Sequence, residues 1–176
     1  TLNPYNRGQS FFVYGTLPMF IARYTAEVTG LIEAGPLKLL GRQLSALADL
    51  FTILLLYFIV ARIYGRRVGW LASLFSALAV MQIQQSHFFT TDLFTNLFMF
   101  LAIWFAVAIV QHPKSLTVEP DKTTEEDPHL PDSQSRITNY ALRIIRSPLF
   151  LLTIGFGIAL GMAMASKINA AALALM

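Results

Sequence analysis

Long apolar runs, each closed by a short polar cluster, set the pattern of this chain. Four of them, at about 43–61, 68–89, 93–111 and 148–166, approach the ~20 apolar residues needed to cross a hydrocarbon core. The second turns polar at its end through Gln82, Gln84, Gln85 and Ser86, and Ala170–Met176 opens a fifth run. A single helix from Pro148 to Met176 would be roughly 43 Å long at the α-helical rise. That overshoots a core of ~30 Å, so a break is expected near Ser166-Lys167-Ile168-Asn169. The pattern predicts an all-α, polytopic membrane bundle.

The remaining sequence divides around those spans. Residues 1–42 read as an outer-face loop with interfacial helices: the aromatic run 11–21 is interrupted by Pro18 and closed by Arg23 and Glu27. Residues 43–111 hold three transmembrane helices. Residues 112–147 form a cytoplasmic acidic flexible loop plus a short amphipathic helix at 139–146. The run from Glu119 to Asp132 is proline-rich, carries six carboxylates and lacks apolar periodicity, so it cannot repay its ordering entropy. Residues 148–176 hold the fourth span and the start of the fifth.

Composition agrees with a membrane chain. Hydrophobic residues make up 55% and charged residues 13% of 176, against roughly 25% charged in soluble domains, and the mean hydropathy is +0.57. There is no cysteine, which excludes a disulfide-stapled secreted domain. The net charge of +3 is spread out and gives no nucleic-acid footprint. The chain starts at Thr1 without a signal-peptide pattern and stops inside an apolar run, so it reads as an internal piece of a longer protein.

Charge sidedness orients the bundle. Arg62, Arg66 and Arg67 join the first two spans, and Lys114, Lys122, Arg136, Arg143 and Arg146 follow the third. Two spans separate these groups, so they share a side, and the positive-inside rule makes it cytoplasmic. The junction Ser86-His87-Phe88-Phe89-Thr90-Thr91-Asp92 and the Lys167 turn then face outward.

Candidate chemistry concentrates at that outer end. Asp92 opens the third span, where a carboxylate can simply complement the helix start. With His87, Gln82, Gln85 and Ser86 close before it, the cluster instead suggests a wet cavity. His87 can pair with Asp92 or contact a substrate phosphate. Lys167 and Arg42 are basic groups at the outer span ends, either snorkelling or facing an anionic headgroup. Asp49, two turns inside the first span, reads as a structural polar contact. Gly157, Gly161 and Ala165 recur every four residues, a spacing that lets membrane helices pack closely.

Several stretches together resemble a known family. Pro4-Tyr5-Asn6 with Phe12-Val13-Tyr14-Gly15-Thr16-Leu17-Pro18, then Gly41-Arg42-Gln43-Leu44-Ser45-Ala46-Leu47, Ser86 to Asp92, and Ser166-Lys167-Ile168-Asn169-Ala170 follow its order. The chain is similar to bacterial protein O-mannosyltransferase-like, dolichyl-phosphate-mannose-dependent glycosyltransferases. The resemblance implies the C-type glycosyltransferase fold, of which this chain would be a fragment. It also implies transfer of a sugar from a polyprenyl-phosphate carrier to an acceptor hydroxyl on a glycan, lipid or protein, at the outward face of the cell membrane. Lys167 and Arg42 become candidates for the donor phosphate, and Asp92 and His87 for catalysis or for organising the donor. Asp92 is also the candidate ligand of a divalent metal.

In that family the principal catalytic carboxylate lies in the first outer loop, which would precede Thr1. The full-length protein is therefore the expected enzyme, and the piece alone is expected to be inactive. Two other readings stand beside it. One is an accessory transmembrane subunit of a larger membrane assembly, including a degenerate glycosyltransferase. The other is a transporter, which ranks third because the polar groups gather at one face and no internal repeat appears.

Overall fold

The computed structural model describes residues 15–31, 34–112, 147–167 and 170. Among them every element of regular structure is a helix: α1 (Leu17–Thr29), α2 (Ala34–Tyr64), α3 (Arg66–Ala77), α4 (Val80–Ser86), α5 (Thr91–Val110) and α6 (Pro148–Ser166). Three are long and apolar enough to cross a membrane, namely Gly35–Tyr64, Thr91–Val110 and Pro148–Ser166. The acidic run, the 139–146 helix, the fifth span and the segment before Gly15 lie outside the described residues.

Local sequence explains where the helices begin and end. Pro18 sits at the start of α1 and does not interrupt it, because the first turn leaves its N–H positions unpaired and tolerates a missing donor. Gly30 closes that helix in the left-handed conformation, φ 73°. Ser147 caps α6 by accepting from the Phe150 N–H, with Pro148 following at the first turn. The Thr90 hydroxyl makes no such bond at the start of α5.

Two expected boundaries move. The helix holding the first span starts at Ala34, well before Gln43, so the division between residues 42 and 43 falls inside α2. Lys38 and Arg42 lower the local hydropathy without breaking the backbone ladder. At 31 residues α2 is about 46 Å long, so part of it extends beyond a ~30 Å core. The run 68–89 is not one continuous helix: α3 ends at Ala77 and Ala79 is extended (φ −67°, ψ 112°) before α4 begins.

The helices form one bundle with α5 against both α2 and α6. α2 and α5 run parallel: Gly41 lies against Phe89 near their starts, and Arg62 donates to Gln111 at their ends. α6 runs back against α5, with Gly155 on Phe105 and Lys167 at Asp92. The best-buried cluster, Ala48, Leu93, Phe94, Phe98, Ala163 and Ala170, lies beneath that last pair. Elsewhere large side chains such as Trp70 (66% exposed) and Phe75 (72%) point away from the bundle, as lipid-facing groups do.

The small-residue seam has a different register from the one the spacing suggests. Ala159, Ala163 and Ser166 are buried in α6, and Gly155 is pressed on Phe105. Nothing described lies within 4 Å of a Cβ placed on Gly157 or Gly161. Small residues occur on two faces of this helix, so spacing alone does not select between them.

Candidate functional site

The end of the bundle that carries the α5 start gathers the candidate residues. Asp92 lies in the first turn of α5, and Lys167 follows the last turn of α6 with an extended backbone. Lys167 Nζ donates to Asp92 Oδ1 at 2.6 Å, and both side chains are partly exposed. The turn around Lys167 is held from two directions: the Gly15 N–H donates to Ser166 O at 2.9 Å, and the Ser166 hydroxyl donates to Met162 O. A Cβ on Gly15 would fall 1.8 Å from Ala165 O, so that close approach requires glycine.

Asp92 thus does more than complement a helix start, and its partner is not His87. The His87 Nδ1 contacts Ile83 O at 2.7 Å, one turn back, and the ring is exposed. Ser86 donates to the same carbonyl. Both side chains close off α4, because the last turn of a helix leaves carbonyls without N–H partners. The pairing of His87 with Asp92 is therefore not found.

Two separate recesses flank the polar junction. The first, of about 540 Å³, lies between α1 and α2 and is walled by Phe88 and Phe89; it is mainly apolar and carries Arg23, Lys38 and Arg42. Phe89 is fixed there by contact with Gly41 and an edge-on contact with Phe94. Arg23 is already paired with Glu27 at 2.7 Å. The second recess, of about 300 Å³, contains Asp92 and Lys167 with Gln85, Thr95, Asn96 and Met99. Arg42 and Lys167, alike in sequence position at span ends, therefore line different cavities.

Asp49 lies on a polar stripe of α2 with Ser45 and Thr52, both buried. Its carboxylate takes a hydrogen bond from the Gln82 side chain, while Oδ1 is buried without a partner among the described residues. The expected structural polar contact is thus Gln82. Among the described residues no three His, Cys, Asp or Glu side chains converge. With an ammonium at 2.6 Å, Asp92 and its described neighbours do not fit a divalent-metal site.

Lys38, Thr52 and Asn96 were not singled out by sequence. Four-residue spacings point to two of the three: Lys38 with Arg42, and Asn96 with Asp92.

Comparison with curated proteins and with solved structures gives no match. A family model described as dolichyl-phosphate-mannose-protein mannosyltransferase matches residues 18–118, which run from α1 through α5 and contain both the basic apolar groove and Asp92. With its apolar spans and that match over more than half its length, the chain belongs to the dolichyl-phosphate-mannose-protein mannosyltransferase family of multi-pass membrane glycosyltransferases.

Proposed function

We propose that the full-length protein transfers a sugar from a polyprenyl-phosphate carrier to an acceptor hydroxyl at the non-cytosolic face of the cell membrane. The observation that carries this reading is the groove between α1 and α2: an apolar channel with Lys38 and Arg42 on it. A polyprenyl phosphate has the same division, a long apolar chain ending in an anion. Apolar burial holds the chain, and the two cations hold the phosphate by charge-assisted hydrogen bonds.

The chemistry follows from the leaving group. The bond from sugar C1 to the carrier phosphate oxygen breaks, and a bond from the acceptor oxygen to C1 forms. The carrier leaves as a phosphate whose growing negative charge is met by Arg42 and Lys38. The acceptor proton passes to a carboxylate base. Lys167 keeps Asp92 in place from the neighbouring recess. Asp92 then orients donor or acceptor hydroxyls. This division of labour gives Arg42 and Lys38 the donor-phosphate role, gives Lys167 the positioning of Asp92 and leaves His87 outside the reaction.

The test uses the full-length protein in nanodiscs. Arg42→Gln and Lys38→Gln should each weaken binding of bare polyprenyl phosphate about ten-fold, the scale of one charge-assisted hydrogen bond. Transfer from the mannosylated carrier should fall with it. Wild-type protein that binds neither carrier would sink the proposal.

A further inference from the structure

We infer that the break in the second span builds a subsite for an uncharged sugar ring; this rests on the donor reading above and deepens it. Between α3 and α4 the chain is extended at Ala79. Around that break Thr52 of α2, Ser76 of α3, Gln82 and Gln85 of α4 and Asn96 of α5 line a cavity of about 270 Å³. Gln85 and Asn96 line both this cavity and the one holding Asp92 and Lys167, so the two adjoin. Asp92, Asn96 and Phe100 follow at four-residue steps along α5, which places the inner cavity up to about 12 Å deeper along that helix.

A broken helix at membrane depth leaves backbone groups unpaired. It is tolerated where it is buried in protein or lines a wet cavity, and this break lines one. None of the residues lining the inner cavity carries a charge. A phosphate would therefore find no cation there to offset its desolvation. The amide and hydroxyl side chains each donate and accept, as sugar hydroxyls do. Phe100 and Met81 supply an apolar wall for the ring's C–H face.

The polar groups are also held in place. The Ser76 hydroxyl donates to Gln82 Oε1 at 3.1 Å, and Gln82 bonds Asp49 on α2. One amide thus ties α3, α4 and α2 together across the break. Groups fixed before a ligand arrives lose less freedom on binding it.

Two variants avoid that tie. Asn96→Leu removes hydrogen-bonding groups from the cavity wall, and Ala79→Leu fills the space at the break. In the full-length protein in nanodiscs, each should weaken binding of polyprenyl-phosphate-mannose about ten-fold. Binding of bare polyprenyl phosphate should be unchanged, which also reports that the variants are folded. Equal loss for both carriers, or loss for neither, would overturn the subsite while leaving the donor reading intact. If wild-type protein binds neither carrier, the donor reading falls and the subsite with it.

Discussion

Lys167 and Asp92, 75 positions apart in sequence, meet at 2.6 Å where the end of α6 reaches the start of α5. The contact closes one end of the bundle, and two cavities can be placed relative to it. It lies directly over the buried cluster of Leu93, Phe94 and Ala163.

For stability the pair should matter little. Its members are 27% and 37% exposed, and a partly solvated ion pair contributes about 1 kcal/mol or less. Its weight should fall on transfer. Asp92→Asn and Lys167→Met are each expected to reduce transfer ten-fold or more with nearly unchanged thermal unfolding. A double-mutant cycle should show strong coupling between them. Additive effects on the rate would mean that the two side chains act independently.

Gly15 and Gly157 should respond in opposite ways to alanine. At Gly15 the added methyl meets Ala165 O and Ser166 C in the backbone, which cannot give way cheaply. A destabilisation of about 1–3 kcal/mol is expected, together with a loosened Lys167 turn. At Gly157 nothing described obstructs the methyl, and alanine should stabilise the helix by up to about 1 kcal/mol. Thermal unfolding of the two variants decides the matter, since equal effects would contradict the observed seam.

His87 should prove nearly dispensable for transfer. Its ring bonds a carbonyl of its own helix and is exposed, so replacing it forfeits about 1 kcal/mol at most. His87→Asn should keep turnover within about three-fold of wild type. A hundred-fold loss would return the imidazole to the reaction.

The absence of cysteine in this chain makes its sidedness directly measurable. Tyr64→Cys, beside Gly65 at the α2–α3 hairpin, and Phe88→Cys, at the polar junction, occupy opposite ends of the bundle. In sealed, right-side-out vesicles a membrane-impermeant maleimide should label position 88 and leave position 64 untouched. Labelling of both from one side would contradict the topology.

The sequence by itself determined the helical class and three of the spans. A backbone in hydrocarbon must satisfy its own hydrogen bonds, so a long apolar run has little choice but helix. Length and hydropathy consequently placed Pro148–Ser166 and nearly all of Thr91–Val110. The place of Asp92 at the start of its helix was legible too, because a polar cluster there closes one apolar run before the next begins.

Tertiary structure decided the partners. Asp92 has one carboxylate and several suitors within reach in sequence, and His87 looked nearest. Only the antiparallel return of α6 brings Lys167 to it. The break at Ala79 was likewise hidden, because hydropathy averages over it while the Ser76–Gln82–Asp49 contacts that bridge it come from three helices. The seam of α6 was ambiguous for a related reason: small side chains lie on two of its faces, and the bulk of Phe105 on the neighbouring helix settles which one is pressed close.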